Sequence, residues 1–441
     1  MPHSIKTYMN IKNLMTFVFC SALIIFFLGF SKVSKAQYTW NSDSAFKTGN
    51  PNSGRIWGYA FGDYYYKGHK DSLNRGGSNQ YSGIPKNRSA FAFRRIYLGY
   101  DYNISKKFSA ELLLAAEDNF PAGNPPSSAS ASGDELLNNK LSFYIKLINI
   151  RWKNIWKGTD LVVGQIATPA FPLLSERLWS YRSIERTIAD IRRTPSYDLG
   201  AALQGSFDPA TKNFGYNLMV ANGSSAKPEG DNFKWMYGDI YAYFANKKLV
   251  FDIYADYERL NWTPIWHHSR QMWKGYVAYN SAATAKGIDP GNGFTVGLEF
   301  FVNTLKNDNF AAKIAGGTDT FATVPTGLSM YIHGDIVKTK LRFFARVDIY
   351  NPNNKIDNSV YSKYTANTGN YNDNSYSLGT TATGDQTYKQ TFMTLGLDYM
   401  PVKNVHFMPN IWYNHYATQL SASNDDHDLV YRITFYYIFG K

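Results

Sequence analysis

Five arginines crowd one stretch of the chain, residues 169–196: Arg177, Arg182, Arg186, Arg192 and Arg193, against Glu176, Glu185 and Asp190. A guanidinium group stays charged at any ordinary pH, and its planar fork matches the paired oxygens of phosphate or carboxylate. Such a cluster suits anion recognition. If residues 181–193 form a helix, Arg182, Arg186 and Arg193 fall within about 40° of one another at 100° per residue. Ile184, Ile188 and Ile191 then gather on the opposite side. One face would pack on a wall while the other presents cations to water. The plainer reading is an amphipathic surface helix whose arginines pair with acids or lipid phosphates.

Residues for bond-making chemistry are sparse. His267 and His268, near Arg270, form the one tempting constellation. No Gly-x-Ser-x-Gly elbow and no His-Glu-x-x-His helix occurs. The sequence therefore points away from an enzyme and calls for no cofactor and no metal.

The elements that must position the arginines are strands. In residues 428–439, Leu429, Tyr431, Ile433, Phe435, Tyr437 and Phe439 alternate with Val430, Arg432, Thr434, Tyr436 and Ile438. The same period of two runs through 249–258 and 341–350, so each segment has one apolar and one mixed face. A soluble sandwich alternates too, so the connections decide. Short ones (103–107, 154–159, 208–213, 246–248, 304–309, 335–340, 401–404) alternate with long ones (67–88, 118–140, 169–196, 223–232, 259–292, 317–327, 351–386, 417–427). Seven short and eight long connections join sixteen strands. This predicts an all-β fold, a 16-stranded antiparallel transmembrane β-barrel with short periplasmic turns and long outer loops. The strand near 310–315 and the stretch 271–280, inside the 259–292 connection, are the weak points of the count, and 14 or 18 strands would also fit. With apolar rows facing lipid, Arg95, Arg151, Arg342, Arg346 and Arg432 face the lumen, as do Asp101, Asp252, Asp256 and Asp348. Arg94, in the row of Ile96 and Leu98, falls at the outer rim.

Composition agrees. The 441 residues include 34 Tyr, 29 Phe and 10 Trp, 17% aromatic, yet only 18% are charged. Helical membrane spans would need several apolar runs of roughly 20 residues, and a disordered chain would lack the aromatics. Many of the aromatics are expected in girdles at the membrane–water interface. Lys6 and Lys12, an apolar run from Leu14 to Phe30 and Ser34-Lys35-Ala36 describe a secretory signal over residues 1–36, with an uncleaved anchor as the alternative. The barrel would then occupy 37–441. Cys20 is the single cysteine and lies in the leader, so no disulfide or thiol serves the mature chain. Loss of Lys6, Lys12, Lys32 and Lys35 takes the formal charge from +12 to +8. Export argues against nucleic acid as a partner.

The run Val163-Gly164-Gln165-Ile166-Ala167-Thr168-Pro169-Ala170-Phe171, followed by Ser183-Ile184-Glu185-Arg186, Asp198-Leu199-Gly200 and Gly205, resembles the outer-membrane porin family that contains the phosphate-selective porins O and P. Phe93-Arg94-Arg95-Ile96-Tyr97-Leu98-Gly99 is similar to that family's second-strand motif. Gly327-Leu328-Ser329 and Phe344-Ala345-Arg346-Val347-Asp348 are similar to its distal strands. The resemblance implies a 16-stranded barrel, a homotrimer, and a third outer loop folded inward to narrow the pore. It does not by itself carry phosphate selectivity.

Together these features describe a porin in the outer membrane of a Gram-negative bacterium. It would be a passive, water-filled channel for small hydrophilic solutes that prefers anions, phosphate among the candidates. The constriction would be Arg177, Arg182, Arg186, Arg192 and Arg193, with Arg95, Arg151, Arg342, Arg346, Arg432 and Asp348 along the lumen. Its partners would be small anions, outer-membrane lipid and lipopolysaccharide, and two further copies of itself. The alternatives are an oligosaccharide channel with Tyr97, Tyr254, Phe344 and Trp412 as a stacking track, or a surface adhesin.

Overall fold

The computed structural model describes residues 51–73, 75, 80–117, 136, 137, 140–191, 195–263, 266–355, 357, 359–366, 388–417 and 425–440. The expected leader, Arg192, Arg193 and most of the connections at 118–143 and 352–388 lie outside these.

Sixteen strands form the wall: β1 (Ser53–His69), β2 (Ser89–Asn103), β3 (Phe108–Glu117), β4 (Tyr144–Trp156), β5 (Thr159–Ala167), β6 (Tyr197–Ser206), β7 (Phe214–Ala221), β8 (Trp235–Phe244), β9 (Leu249–Thr263), β10 (Trp266–Asn280), β11 (Phe294–Lys313), β12 (Thr326–Val337), β13 (Leu341–Asn351), β14 (Lys389–Val402), β15 (Val405–Ala417) and β16 (Asp426–Phe439). Each pairs antiparallel with the next. β16 returns to β1 from Gly58↔Phe439 to His69↔Leu429, which closes the sheet. Closure leaves no free edge, the condition for a sheet in hydrocarbon, where an unpaired N–H or C=O costs several kcal/mol.

Side-chain alternation sorts the two faces. On β16, Val430, Arg432, Thr434 and Tyr436 are buried inward, while Tyr437 and Phe439 are exposed outward. The outward rows elsewhere carry Ile148, Ile150 and Trp152 on β4, Ile240 on β8, Ile253 on β9 (65% exposed) and Leu395 on β14. On a soluble surface this much apolar area would drive aggregation; around a closed barrel it is the lipid-facing belt. At the end with short turns, Phe214, Phe244 and Phe251 meet edge to face at 5.7 Å, part of an exposed aromatic rim.

The strand number agrees with expectation, but two boundaries do not. Residues 259–292 are not one long outer loop: they contain β10, joined to β9 across 264–265 and to β11 by a turn-end connection at 281–293. Residues 304–309 are not a short turn, because β11 runs straight through them. One strand was missed and one was split, so the two errors cancel. The cause is visible in β11. Its outer half projects beyond the wall and pairs on both sides with strands built from outer connections, Thr318–Thr323 and Tyr361–Ala366. Its polar Lys-Asn-Asp-Asn segment looks like a turn in sequence and is a strand outside the lipid.

Among the register shifts in the wall, two β-bulges bear on the lumen. Between β1 and β2, Phe61 pairs with Arg95 and Gly62 with Phe93, so Arg94 is the extra residue. Between β3 and β4, Leu113 pairs with Leu147 and Leu114 with Ile145, so Lys146 is extra. A bulge sets two residues against one and re-aims the extra side chain. Arg94 is therefore not at the outer rim; like Arg95, it is buried inside the barrel.

Turn chemistry fixes the other end. In the 207–213 connection the Asp208 carboxylate accepts from Ser206 Oγ (3.0 Å), Thr211 Oγ1, Asn213 N (2.9 Å) and Phe214 N (2.8 Å). Slight burial opposes the charge, but these donors outweigh it and hold the carboxyl well below the usual aspartate range. A depressed folded-state pKa contributes stability that is fully present above the unfolded value of about 3.9 and is lost as pH falls through the folded value. Asp208→Ala should lower the urea midpoint of the refolded barrel at pH 7, and the gap from wild type should close on acidification below about pH 4.

Candidate pore constriction

The third outer connection, 168–196, leaves β5 and turns into the barrel. Its neck is pinned by Thr168 Oγ1 donating to the Pro195 carbonyl (2.6 Å) and Thr168 N to the Ser196 carbonyl (3.1 Å). Phe171, Leu174, Leu178, Trp179, Tyr181, Ile184 and Ile188 are all buried against inward-facing aromatics of the wall, among them Tyr59, Tyr97, Tyr331 and Phe344. Burying seven such side chains is worth roughly 1.5–3 kcal/mol each before ordering costs, which explains why a loop with this composition enters the lumen.

The loop is not one helix over 181–193. It carries two short ones, α1 (Ser175–Trp179) and α2 (Ile188–Ile191), with Ser180 in the left-handed region (φ 61°) ending the first. The carbonyls that a continuous helix would need are taken by other donors. Arg432 Nη2 donates to Ile184 O (2.5 Å), Trp179 Nε1 to Glu185 O (2.8 Å) and Arg346 Nη1 to Arg186 O (2.7 Å). The Leu178 carbonyl contacts His333 Nε2 at 2.8 Å. The backbone N–H groups of Ala189 and Asp190 go to side chains, Glu299 Oε1 and Thr187 Oγ1 (both 3.4 Å). Wall side chains, with Trp179 and Thr187 of the loop itself, thus hold the loop by its backbone.

Glu185 is the junction. Its carboxylate accepts from Gln80 Nε2 (3.0 Å) and Trp412 Nε1 (2.8 Å). Gln80 belongs to the first outer connection, whose residues 80–84 also fold inward. Tyr81 donates to Asp63 (2.5 Å) and lies under the guanidinium carbons of Arg432 (5.4 Å) and Arg94 (5.7 Å). The base of this loop is fixed by the Arg75–Asp71 pair (2.8 Å) and by Lys67–Asp428 (2.5 Å).

The predicted lumen set is brought together in part. Arg95, Arg346 and Arg432 surround the loop. Arg95 pairs with Glu117 (2.5 Å) and Arg346 with Asp348 (2.5 Å). Arg151 pairs with Asp160 (3.1 Å) and Arg342 with Asp335 (3.3 Å), both towards the turn end; Asp101 pairs there with Arg55 (2.8 Å). Within the loop, Arg182 bridges Glu176 and Asp190 (2.7 Å to the latter), and Arg186 lies 3.7 Å from Asp190. Burial pushes the Asp190 carboxyl upward, but Arg182 and Arg186 outweigh it and hold it below the usual range. The side chains of Arg182 and Arg186 keep 13% and 18% exposure. Arg177 lies in the last turn of α1. Facing this side, β8–β11 carry Asp239, Asp252, Asp256, Glu258 and Glu299, with Lys274 on Asp252 (2.8 Å) and Arg270 on Glu258. The interior therefore has an arginine-rich side and an acid-rich side.

Two other expectations are corrected. His267 and His268 are neighbours on β10, one exposed and one buried, so they point to opposite faces and form no dyad. Tyr97, Tyr254, Phe344 and Trp412 are at most 1% exposed, covered by the wall and the inward loops, so they offer no free ring face as a sugar track. Sequence reading missed Lys146, Glu117, Asp239, Glu299 and the first loop. Glu117, Asp239 and Glu299 could have been found from the inward rows they occupy. Lys146 could not, because only its bulge turns it inward.

No family model and no curated protein sequence matches the chain. Solved structures do. The outer membrane channel DcaP of Acinetobacter baumannii aligns with TM-score 0.54 at 10% identity, covering 92% of this chain and all of that one. The anion-selective porin from Comamonas acidovorans aligns with TM-score 0.51 at 10% identity over 88% of this chain and all of that one. The trimer form of OmpT from Vibrio cholerae aligns with TM-score 0.51 at 9% identity over the same shares. The fold is that of outer-membrane porins. With its apolar belt, this porin-like barrel resides in the outer membrane. At such identities the likeness is one of architecture, and no residue role passes with it.

If the wall arginines hold the third loop, Arg346→Ala with Arg432→Ala should free it. Single-channel recordings should then show a larger mean conductance, by about two-fold, and added flicker; an unchanged, quiet trace would show the loop to be held by its apolar contacts alone.

Proposed function

We propose that this protein is a passive diffusion porin for small hydrophilic solutes, with a preference for anions set around the inward-folded third loop. The observation that carries the reading is that loop, seated inside a closed barrel and ringed by Arg95, Arg182, Arg186, Arg346 and Arg432. Low-dielectric walls focus the field of fixed charges in a narrow aqueous path. Arg95, Arg182, Arg186 and Arg346 are each partly neutralised by an acid, and Arg432 is engaged by Asn410 and the Ile184 carbonyl, so none should bind an anion tightly, and throughput needs such weak, multiple sites. Cations would be drawn to the acid-rich side, which limits the selectivity to a modest ratio. The anion-selective name of one structural neighbour supports the reading, as the trimer form of another supports a homotrimer. Phosphate is a candidate solute because guanidinium forks fit its oxygens. The belt would contact lipid and lipopolysaccharide.

The test is reversal potential in planar bilayers under a potassium chloride gradient. The wild type should favour chloride. Arg182→Ala with Arg186→Ala should lower the anion-to-cation permeability ratio at least two-fold with the barrel intact. Cation preference in the wild type would overturn the anion reading while leaving the channel itself standing.

A further inference from the structure

One cluster at the outer end of the barrel has no part in the pore. His69 ends β1, and Asp426 and His427 begin β16, so the three residues straddle the seam where the last strand meets the first. A ring nitrogen from each histidine and a carboxylate oxygen of Asp426 all lie within 4.8 Å of one another. Asp426 Oδ1 is 3.6 Å from His69 Nδ1 and 3.8 Å from His427 Nδ1. The two imidazole rings stack at 4.0 Å with a 10° interplanar angle, an arrangement suited to neutral rings.

The groups behind these ligands are already in place. Asp426 accepts from the backbone N–H groups of Ser72 (2.8 Å) and His427 (2.8 Å), which fix its carboxylate. His69 Nδ1 lies 2.7 Å from the His427 carbonyl, which fixes the orientation of the ring. Tyr413 packs on the His427 ring at 5.3 Å. His415 stands opposite His427 in the β15–β16 register and can supply a fourth ligand, as can water. Two imidazoles and one carboxylate are the ligand set of borderline divalent ions, with bonds of about 2.0–2.2 Å.

We propose that His69, Asp426 and His427 bind a divalent transition-metal ion of the zinc class and thereby staple the outer end of the barrel's closing seam. The site joins the two strands furthest apart in sequence. A ligand that binds only where both are paired stabilises the closed barrel by mass action.

The experiment uses the purified, refolded barrel in detergent, with zinc chloride as the probe and magnesium chloride as the control. Competition against a chromophoric chelator should show one saturable zinc site. His69→Ala and His427→Ala should each weaken it at least ten-fold, as should Asp426→Asn, which preserves shape. Zinc should raise the thermal unfolding midpoint of the wild type and not of these variants, and magnesium should do neither. Heat-modifiable migration on gels checks that each variant is folded. The proposal is overturned if folded variants bind zinc as the wild type does, which would move the binding to the remaining histidines. It is equally overturned if the wild type shows no saturable site, or if zinc binds without shifting the midpoint.

Discussion

A peptide group at membrane depth has no water to turn to, and that single restriction organises this molecule. Each strand must find a partner on both sides, so the sheet must close, and β16 must return to β1. Closure fixes an inside and an outside for every residue of every strand. Apolar side chains take the outside because a charge there costs about 2–4 kcal/mol at the midplane. The charged and hydrogen-bonding groups then have one place left, and the interior of this barrel is packed with them.

The same restriction explains how the third loop can sit in the lumen without becoming a helix. A loop inside a barrel brings its own backbone polar groups, and each must be met. Here Arg346, Arg432 and Trp179 meet the carbonyls, and Glu299 and Thr187 meet the N–H groups. Hydrogen bonds from charged donors contribute about 1.5–3 kcal/mol each. Arginine has five N–H donors, so Arg346 can ion-pair with Asp348, hold a loop carbonyl and still contribute field to the water path. Structural and electrostatic duties fall on the same side chains, which is why their apparent redundancy is misleading.

Much of the wall was legible in the sequence. Period-two rows, punctuated by short and long connections, yield sixteen strands and the inward direction of Arg95, Arg346 and Arg432. What escaped had local physical causes. β10 was hidden because β9 and β10 stay paired out to Thr263↔Trp266 where a long loop was expected, and β11 was split because its polar outer half is a strand beyond the lipid. The helical wheel over 181–193 assumed that backbone groups would pair within the segment, whereas the wall captures them. The inward fold of residues 80–84 was hidden by the Ser, Asn and Gly content around them; only the Asp71–Arg75 spacing and the two apolar residues Tyr81 and Ile84 hinted at an anchored structure.

The bulges at Arg94 and Lys146 carry a consequence for how such a barrel can change over generations. In strict alternation, a new charge placed inside must replace an inward residue that already packs there. An inserted residue that bulges adds a cation to the lumen and leaves both neighbouring rows in register. Loss of the single codon for either residue would restore perfect alternation, keep the lipid face unaltered and remove one positive charge from the interior. The electrical character of the barrel's interior can therefore drift by one-residue insertions and deletions, in steps to which membrane insertion is blind.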